Sequence, residues 1–200
     1  MSQIKLKHSG GNGVIIAAPS SNPASDRTLL LPSDGDSTID TLGRTGNILQ
    51  VKQTVKKDVF SESVGTGTES SLVTGLTVSI TPSSSSNKIL LFYQIVANRQ
   101  VTYFVLDKDG SVFTDAIGDA DGSRTRATFG TQGFGPSDAT DTSAINFLDS
   151  PSTTSQVTYK VRARAENPKT LYVNRGKEGD GDNSITSRFV STITVMEIAA

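Results

Sequence analysis

The stretch from Val157 to Glu166, which reads V-T-Y-K-V-R-A-R-A-E, alternates apolar and polar residues without a break. Successive side chains of a β-strand leave opposite faces, so one face would be apolar and the other charged. This pattern is typical of an antiparallel sheet with one face packed on a core and the other face towards water. Asn167 and Pro168 then interrupt the ladder. Residues 170–174 are predicted to run back as the second strand of a hairpin.

The composition favours an all-β chain with a thin core. Hydrophobic residues make up 34% of the 200 residues, and tryptophan is absent. No window keeps a helical apolar period for three turns without glycine, proline or a run of β-branched residues. A monomer would bury little apolar surface for its length, so we expect the chain to form a homotrimer.

Charge and residue usage exclude several classes of function. The formal net charge of -1 argues against an electrostatic hold on nucleic acid. Cysteine is absent, which removes disulfides, thiolate metal sites and cysteine nucleophiles. No apolar run approaches the ~20 residues that span a bilayer, and the first residues lack the order of a secretory signal. We therefore expect neither nucleic-acid binding nor membrane insertion.

The chain is predicted to have two parts, residues 1–57 and residues 58–200. The first part holds short apolar strips between glycine- and proline-rich turns, each too small to form a core alone. We expect these strips to attach to other chains, either copies of this chain, which would trimerise it, or a docking partner. A disordered tail is the alternative. The predicted attachment residues are Ile4, Leu6, Val14, Ile15, Ile16, Leu29, Leu30 and Leu31.

The second part shows the regular strand spacing of a jelly-roll-like antiparallel β-sandwich. Asp109 and Gly110 suit a tight hairpin turn. The boundary is placed near residue 58, where the composition turns to serine, threonine and glycine. Strands are predicted at 48–57, 76–81, 88–98, 101–106, 111–113, 126–130, 144–148, 157–166, 170–174 and 188–198.

Three stretches resemble virion proteins of tailed bacteriophages, especially small fibre-like and appendage proteins of phages that infect cyanobacteria. The first is I-K-L-K-H-S-G-G-N-G-V-I-I-A-A-P at 4–19, followed by R-T-L-L-L-P at 27–32. The second is G-L-T-V-S-I-T-P at 75–82 with N-K-I-L at 87–90, and the third is L-D-S-P at 148–151 with T-I-T-V-M-E at 192–197. The resemblance implies an N-terminal segment that fixes the chain to the particle and a trimeric β-rich knob.

The function expected from the sequence is therefore that of a structural protein located in the virion. It would be a trimeric fibre or appendage of the tail or collar that contacts the host surface. Two alternatives stay open: a capsid decoration protein, such as a head fibre or cement, and a glycan-recognition module. The expected partners are copies of the chain, other virion proteins of tail, collar or capsid, and a host surface glycan. Phe134, between two glycines, is the candidate for a ligand-contact loop.

No residue pattern points to an enzyme, a cofactor or a metal. His8 is the only histidine, and no nucleophile elbow accompanies it. The Asp-x-Asp loops at 34–36, 107–109, 119–121 and 180–182 offer oxygen ligands for calcium, but aspartate beside glycine is also ordinary turn chemistry. Lys160, Arg162 and Arg164 share one strand face, where they either meet an anionic glycan or a neighbouring subunit, or face water.

Overall fold

The computed structural model describes residues 3–7, 9–11, 13–17, 44–65, 69–98, 102–131, 140–165, 169–176 and 187–200. The chain divides into two compact units, Met1–Ile39 and Asp40–Ala200. In the first unit, strands β1 (Gln3–Lys7) and β2 (Gly13–Ala17) form an antiparallel hairpin. Ile4 lies opposite Ile16 in this hairpin, and Leu6 lies opposite Val14.

The second unit contains two antiparallel sheets, which confirms the predicted all-β sandwich. Its described strands are β3 (Ile48–Lys56), β4 (Phe60–Val64), β5 (Glu69–Ile80), β6 (Lys88–Asn98), β7 (Thr102–Lys108), β8 (Ser111–Val112), β9 (Phe129–Thr131), β10 (Thr140–Asp149), β11 (Val157–Ala165), β12 (Lys169–Val173) and β13 (Ser191–Ile198). A single 3₁₀ turn at Thr114–Ala116 follows β8 in the described part of the chain.

Strand β6 is the centre of the six-stranded sheet. Along one edge it pairs with β10 from Ile89 to Asn98, and along the other edge it pairs with β13 at 88–94 and with β12 at Ala97. Strand β3 flanks β13, and β4 flanks β12. In the five-stranded sheet, β11 lies between β5 and β7, while the short strands β8 and β9 both pair with β7.

The core lies between the two sheets and follows the alternation in the sequence. Val157, Tyr159, Val161 and Ala163 of β11 are each at most 1% exposed, as the V-T-Y-K-V-R-A-R-A-E pattern predicts. They belong to one cluster with inward residues of β6 and β13, including Leu91 and Ile193. Full burial of an aliphatic side chain contributes roughly 1.5–3 kcal/mol, so this two-sided packing holds the sandwich together.

The predicted hairpin between residues 157–166 and 170–174 is wrong. Strand β12 pairs with β4 and β6 in the six-stranded sheet, whereas β11 belongs to the five-stranded sheet. The reason is that β5 and β7 already occupy the two edges of β11, so no edge remains for β12. The chain therefore crosses from one sheet to the other after Ala165.

The predicted boundary at residue 58 also differs from the structure. Residues 48–56 form β3, which pairs with β13 along nearly its full length, so they belong to the sandwich. The serine- and threonine-rich region that suggested the boundary instead contains β4 and the start of β5. Polar outward residues on these edge strands explain the misleading composition. The second unit begins at Asp40.

Side chains, rather than a backbone ladder, join the two sheets at one corner. The Thr54 hydroxyl donates to the carbonyl oxygen of Thr77 at 2.6 Å, and the Gln50 amide donates to that of Thr81 at 2.8 Å. The backbone N–H of Ser71 donates to the Glu62 carboxylate at 2.9 Å. These bonds satisfy polar groups on the outer edge of β5.

Asn174 is a buried junction between strands, and its φ of 65° places it in the left-handed region. Its side-chain amide donates to the carbonyl oxygens of Lys56 at 2.9 Å and Asp58 at 3.0 Å. Its side-chain oxygen accepts the Ser191 hydroxyl at 2.6 Å. Asparagine tolerates this backbone conformation better than most residues. Through its three hydrogen bonds, the Asn174 side chain holds the bend that follows β3 against the first residue of β13.

Candidate functional site

Three rows of side chains cross the outer face of the six-stranded sheet from β3 through β13 and β6 to β10. Paired residues of neighbouring strands share a face, so the register fixes each row. None of the twelve side chains is charged, although 20% of the chain is. We name this surface the uncharged face. Its rows are Val51–Met196–Leu90–Leu148, Gln53–Thr194–Phe92–Asn146 and Val55–Thr192–Gln94–Ala144.

Large apolar side chains stand in solvent on the uncharged face. Val51 is 51% exposed, Leu148 48%, Val55 43% and Phe92 38%. Ile48, the first residue of β3, is 54% exposed and lies in the next row with Ile198 and Lys88, so a lysine borders the uncharged face at this end. Monomeric proteins rarely expose contiguous apolar surface of this kind unless it is a contact or ligand site. The uncharged face is therefore the candidate functional surface of the sandwich.

A groove of about 500 Å³ lies in the middle of the uncharged face. Polar side chains of Gln53, Gln94, Asn146 and Thr192 line it together with the ring of Phe92. Amides and hydroxyls both donate and accept hydrogen bonds, but they do not act as acids or bases near neutral pH. This lining can hold a neutral polar surface through hydrogen bonds.

The outer face of the five-stranded sheet has the opposite character, because it carries Lys160, Arg162 and Arg164. The Arg162 guanidinium donates twice to Asp107 Oδ2, at 2.9 and 3.0 Å, and the Asp107 side chain is fully buried. Arg164 forms an ion pair with Glu69 and donates to the carbonyl oxygen of Arg126 at 2.6 Å. The structure thus neutralises both arginines within the chain, which does not favour the alternative that they bind an anionic glycan.

The described acidic loops use their carboxylates in turns and ion pairs. Asp107 Oδ1 accepts the N–H of Gly110 at 2.9 Å, and Asp109 Oδ1 accepts the N–H of Thr158 at 2.8 Å. Asp121 pairs with Arg124 at 2.7 Å. Among the described residues, no group of three or more metal-ligating side chains comes together. The loops at 34–36 and 180–182 lie outside the described residues.

Glu197 is a buried carboxylate that fastens the turn before β6. Its Oε1 accepts the Ser83 N–H at 2.6 Å and the Asn87 amide at 2.7 Å, and its Oε2 accepts the Gln50 amide at 2.6 Å. Burial acts to raise the pKa of Glu197, but the hydrogen bonds from Asn87, Gln50 and Ser83 outweigh it, so the net pKa is lowered. This carboxylate is held ionised for a structural purpose.

A second buried polar group joins Tyr159 to β10. The Tyr159 hydroxyl donates to Asp149 Oδ2 at 2.6 Å, and Lys108 pairs with the same oxygen at 2.6 Å. Burial first, and then the bond to Asp149, raise the pKa of Tyr159. A phenol in this state stays protonated and serves as a hydrogen-bond donor, which ties the two sheets together.

The structure places some of the predicted site residues and not others. Ile4, Leu6, Val14, Ile15 and Ile16 all lie in the β1–β2 hairpin. The other predicted site residues and the single histidine lie outside the described residues; they are Leu29, Leu30, Leu31, Phe134 and His8.

Sequence reasoning missed the uncharged face itself. The signal was present at positions 90–94 and 192–196 of the predicted strands 88–98 and 188–198, where the outward residues are leucine, phenylalanine, glutamine, threonine and methionine and a solvated face usually carries charges. Recognising the face also requires the strand order β3-β13-β6 and its pairing with β10, which the sequence does not provide.

Comparison with known proteins gives no family. No family model matches the chain, and no curated protein matches it. Among solved structures, "Structure of infectious bursal disease virus Gx strain" aligns with 94% of this chain at 13% identity and a TM-score of 0.35. The chain spans about half of that protein, 53% of its length. A likeness at this score assigns neither fold nor function. In the part of the chain that the structure describes, no helix is long and apolar enough to cross a membrane.

Proposed function

We propose that the chain is a non-enzymatic structural protein of a tailed-phage virion. In this proposal the first unit fixes the chain to the particle, and the sandwich projects as a homotrimeric knob of a fibre or appendage that contacts the host surface. The sequence resemblance to phage appendage proteins motivates the virion assignment. The groove and rows of the uncharged face carry exposed apolar, amide and hydroxyl groups that suit binding rather than catalysis. They support a role in binding another surface or molecule.

The observation that carries the proposal is the unequal size of the two units. The sandwich has its own core of buried residues from both sheets. The described part of the first unit is a hairpin of two five-residue strands. An isolated hairpin of this size is marginally stable in water, so it needs another surface to pack on. A self-sufficient domain preceded by a dependent hairpin fits a knob and its anchor.

The test compares the full chain with a chain that starts at Asp40. We expect both to be folded by circular dichroism, and only the full chain to bind particles that lack the native protein. A full chain with Ile4→Asp and Ile16→Asp, which places two charges opposite each other in the hairpin, should also fail to bind. Equal binding by the chain from Asp40 would place attachment in the sandwich and would favour the capsid-decoration alternative.

A second candidate function, glycan recognition, has one observation in its favour. The groove combines an exposed aromatic ring, Phe92, with the amides of Gln53, Gln94 and Asn146. Such a set can stack on a sugar ring and hydrogen-bond its hydroxyls. Binding of the full chain to host lipopolysaccharide, lost with Phe92→Ala and Gln94→Ala, would establish this function.

A further inference from the structure

We propose that the side chains of Lys108 and Asp149 condense to an isopeptide bond that cross-links the two sheets of the sandwich. Lys108 is the last residue of β7 in the five-stranded sheet, and Asp149 is the last residue of β10 in the six-stranded sheet. The bond is a single self-modification within the sandwich and is independent of the proposed function. It gives a chain without cysteine the covalent cross-link that disulfides supply elsewhere.

The distance between the two groups is the first observation that supports the bond. Lys108 Nζ lies 2.6 Å from Asp149 Oδ2. The carboxyl carbon lies one C–O bond of ~1.2 Å beyond this oxygen, so it is at most about 3.8 Å from Nζ. Reacting atoms in a near-attack geometry are ~3–3.5 Å apart, and groups held in this way react as if present at roughly 10⁵–10⁸ M. The fold therefore holds an amine and a carboxyl group close to the geometry of reaction.

The exclusion of water from the pair is the second observation. The Asp149 side chain is 5% exposed and the Lys108 side chain 22%. Nζ lies 4.8 Å from the centre of the Phe113 ring, which packs edge-on against Phe147. Transfer of a proton from the ammonium to the carboxylate removes both charges from this poorly hydrated site and yields the neutral amine that can attack. The same enclosure protects the amide from hydrolysis once it has formed.

A proton donor on the reacting carboxyl group is the third observation. The Tyr159 hydroxyl donates to the same Oδ2 at 2.6 Å, and the Tyr159 side chain is fully buried. A fixed donor at this oxygen stabilises the negative charge that develops there when the amine adds to the carboxyl carbon. Tyr159 is therefore placed as the catalytic residue of the condensation.

The atoms of the condensation balance without any other reactant. The Nζ lone pair forms the bond to the Asp149 carboxyl carbon, and the bond from that carbon to Oδ1 breaks. Of the three ammonium protons of Lys108, one stays on the amide nitrogen and two leave with Oδ1 as water. Oδ2 becomes the amide carbonyl oxygen and continues to accept the Tyr159 hydroxyl.

Two other ion pairs of the sandwich show what distinguishes this one. Lys56 Nζ lies 2.8 Å from Asp58, but the Asp58 side chain is 77% exposed and therefore hydrated. The Asp107 side chain is fully buried, but its partner Arg162 is a guanidinium, which keeps its proton and is a poor nucleophile. Of these three pairs, only Lys108 with Asp149 joins an amine to a buried carboxyl group.

Intact mass spectrometry of the purified full chain tests the bond. We expect the full chain to be lighter than its sequence by one water molecule. Lys108→Arg keeps a positive charge beside Asp149 but cannot form the amide, so it should have the full mass of its own sequence and an unchanged circular dichroism spectrum. A wild-type chain at full mass would leave an ion pair only and would overturn the proposal.

Asp149→Asn distinguishes this bond from other losses of water. Attack of the amine on a carboxamide releases ammonia instead of water, so the variant should reach the same final mass as the wild-type chain. A succinimide at Asp109 and Gly110 also releases water, but its formation does not involve the Lys108 amine. Loss of water that persists in Lys108→Arg would therefore count against the isopeptide bond.

Peptide mapping of the wild-type chain locates the bond and requires no variant. Trypsin does not cut after an acylated lysine, so we expect a branched peptide that is uncut at Lys108 and carries the peptide with Asp149. Separate peptides, cut after Lys108, would show that no bond has formed.

Tyr159→Phe tests the role of the hydroxyl, because it keeps the ring in the core. We expect part of this variant to remain at full mass when the wild-type chain has reacted completely. Tyr93→Phe is the matched control, since it removes another buried hydroxyl, which donates to the carbonyl oxygen of Lys160 at 3.3 Å. This control should lose water completely. Equal conversion of the two variants would remove Tyr159 from the reaction.

Discussion

Single residues on β11 show how far alternation alone can be trusted. The inward side of the strand was predictable, because Val157 to Ala163 keep a strict period of two. The outward side was not simply solvated, since Arg162 covers the buried carboxylate of Asp107. These two residues are 55 positions apart in the sequence, and only the pairing of β11 with β7 brings them together. A charge on an outward position can therefore be structural.

Val161→Asp should unfold the sandwich. The Val161 side chain is fully buried in the core between the sheets, and an unpaired carboxylate there costs several kcal/mol out of a total stability of ~5–15 kcal/mol. Thr77→Asp, an exposed outward position beside Lys160, is the matched control. Circular dichroism and urea unfolding measure both. Equal stability of the two variants would contradict the inward placement of Val161.

Glu197 should make the protein sensitive to acid. Its pKa is lowered in the folded state, so its contribution to stability is complete above the unfolded pKa of about 4.3 and is lost as the pH falls through the folded value. Glu197→Gln should cost about 1–3 kcal/mol at pH 7, because a charge-assisted acceptor is lost, and less at pH 3. Urea unfolding at the two pH values measures the difference.

The control for Glu197 is Asp121→Asn, which removes an exposed carboxylate that pairs with exposed Arg124. It should change the free energy of unfolding little at either pH. A loss for Glu197→Gln that is the same at pH 3 as at pH 7 would mean that the carboxylate contributes by shape rather than by charge.

At the scale of elements, the sequence predicted strands that are marked by alternation or by turn residues, but it did not predict which strands pair with each other. Residues 88–98 match β6, and the Asp109–Gly110 turn has the positive φ values of 53° and 90° that a tight hairpin needs. The β11–β12 hairpin was wrong because a short connection usually joins neighbours, and the sequence does not reveal that β5 and β7 already flank β11. Edge strand β4 was missed, because its outward serines resemble a linker.

Gly130→Ala should loosen the pairing of β9 with β7. A Cβ at Gly130 would lie 2.6 Å from the carbonyl oxygen of Thr102 and 2.8 Å from Cα of Tyr103, and neither backbone atom can move aside alone. We expect a loss of about 1–3 kcal/mol in urea unfolding. Gly118→Ala meets its nearest neighbour, the Ala127 carbonyl oxygen, at 3.7 Å and should be nearly neutral. A neutral Gly130→Ala would show that β9 can shift freely.

At the scale of the whole molecule, the position of the first sandwich strand decides which fragment folds. A chain from Asp40 keeps β3 on β13, and we expect it to be soluble and cooperatively folded. A chain from Asp58 lacks β3, which leaves β13 as an open edge and removes the Gln50 bond to Glu197. We expect it to aggregate or to unfold at lower urea. Equal midpoints for the two fragments would mean that β3 adds no stability.

The absence of charges from the three rows on the six-stranded sheet also affects how a contact made there would respond to salt and temperature. A contact made by aliphatic and amide groups contains no ion pairs for salt to screen, so added salt should not weaken it. The strength of such a contact does depend on temperature, because apolar association weakens on cooling. A contact at these rows would therefore withstand added salt but would loosen in the cold.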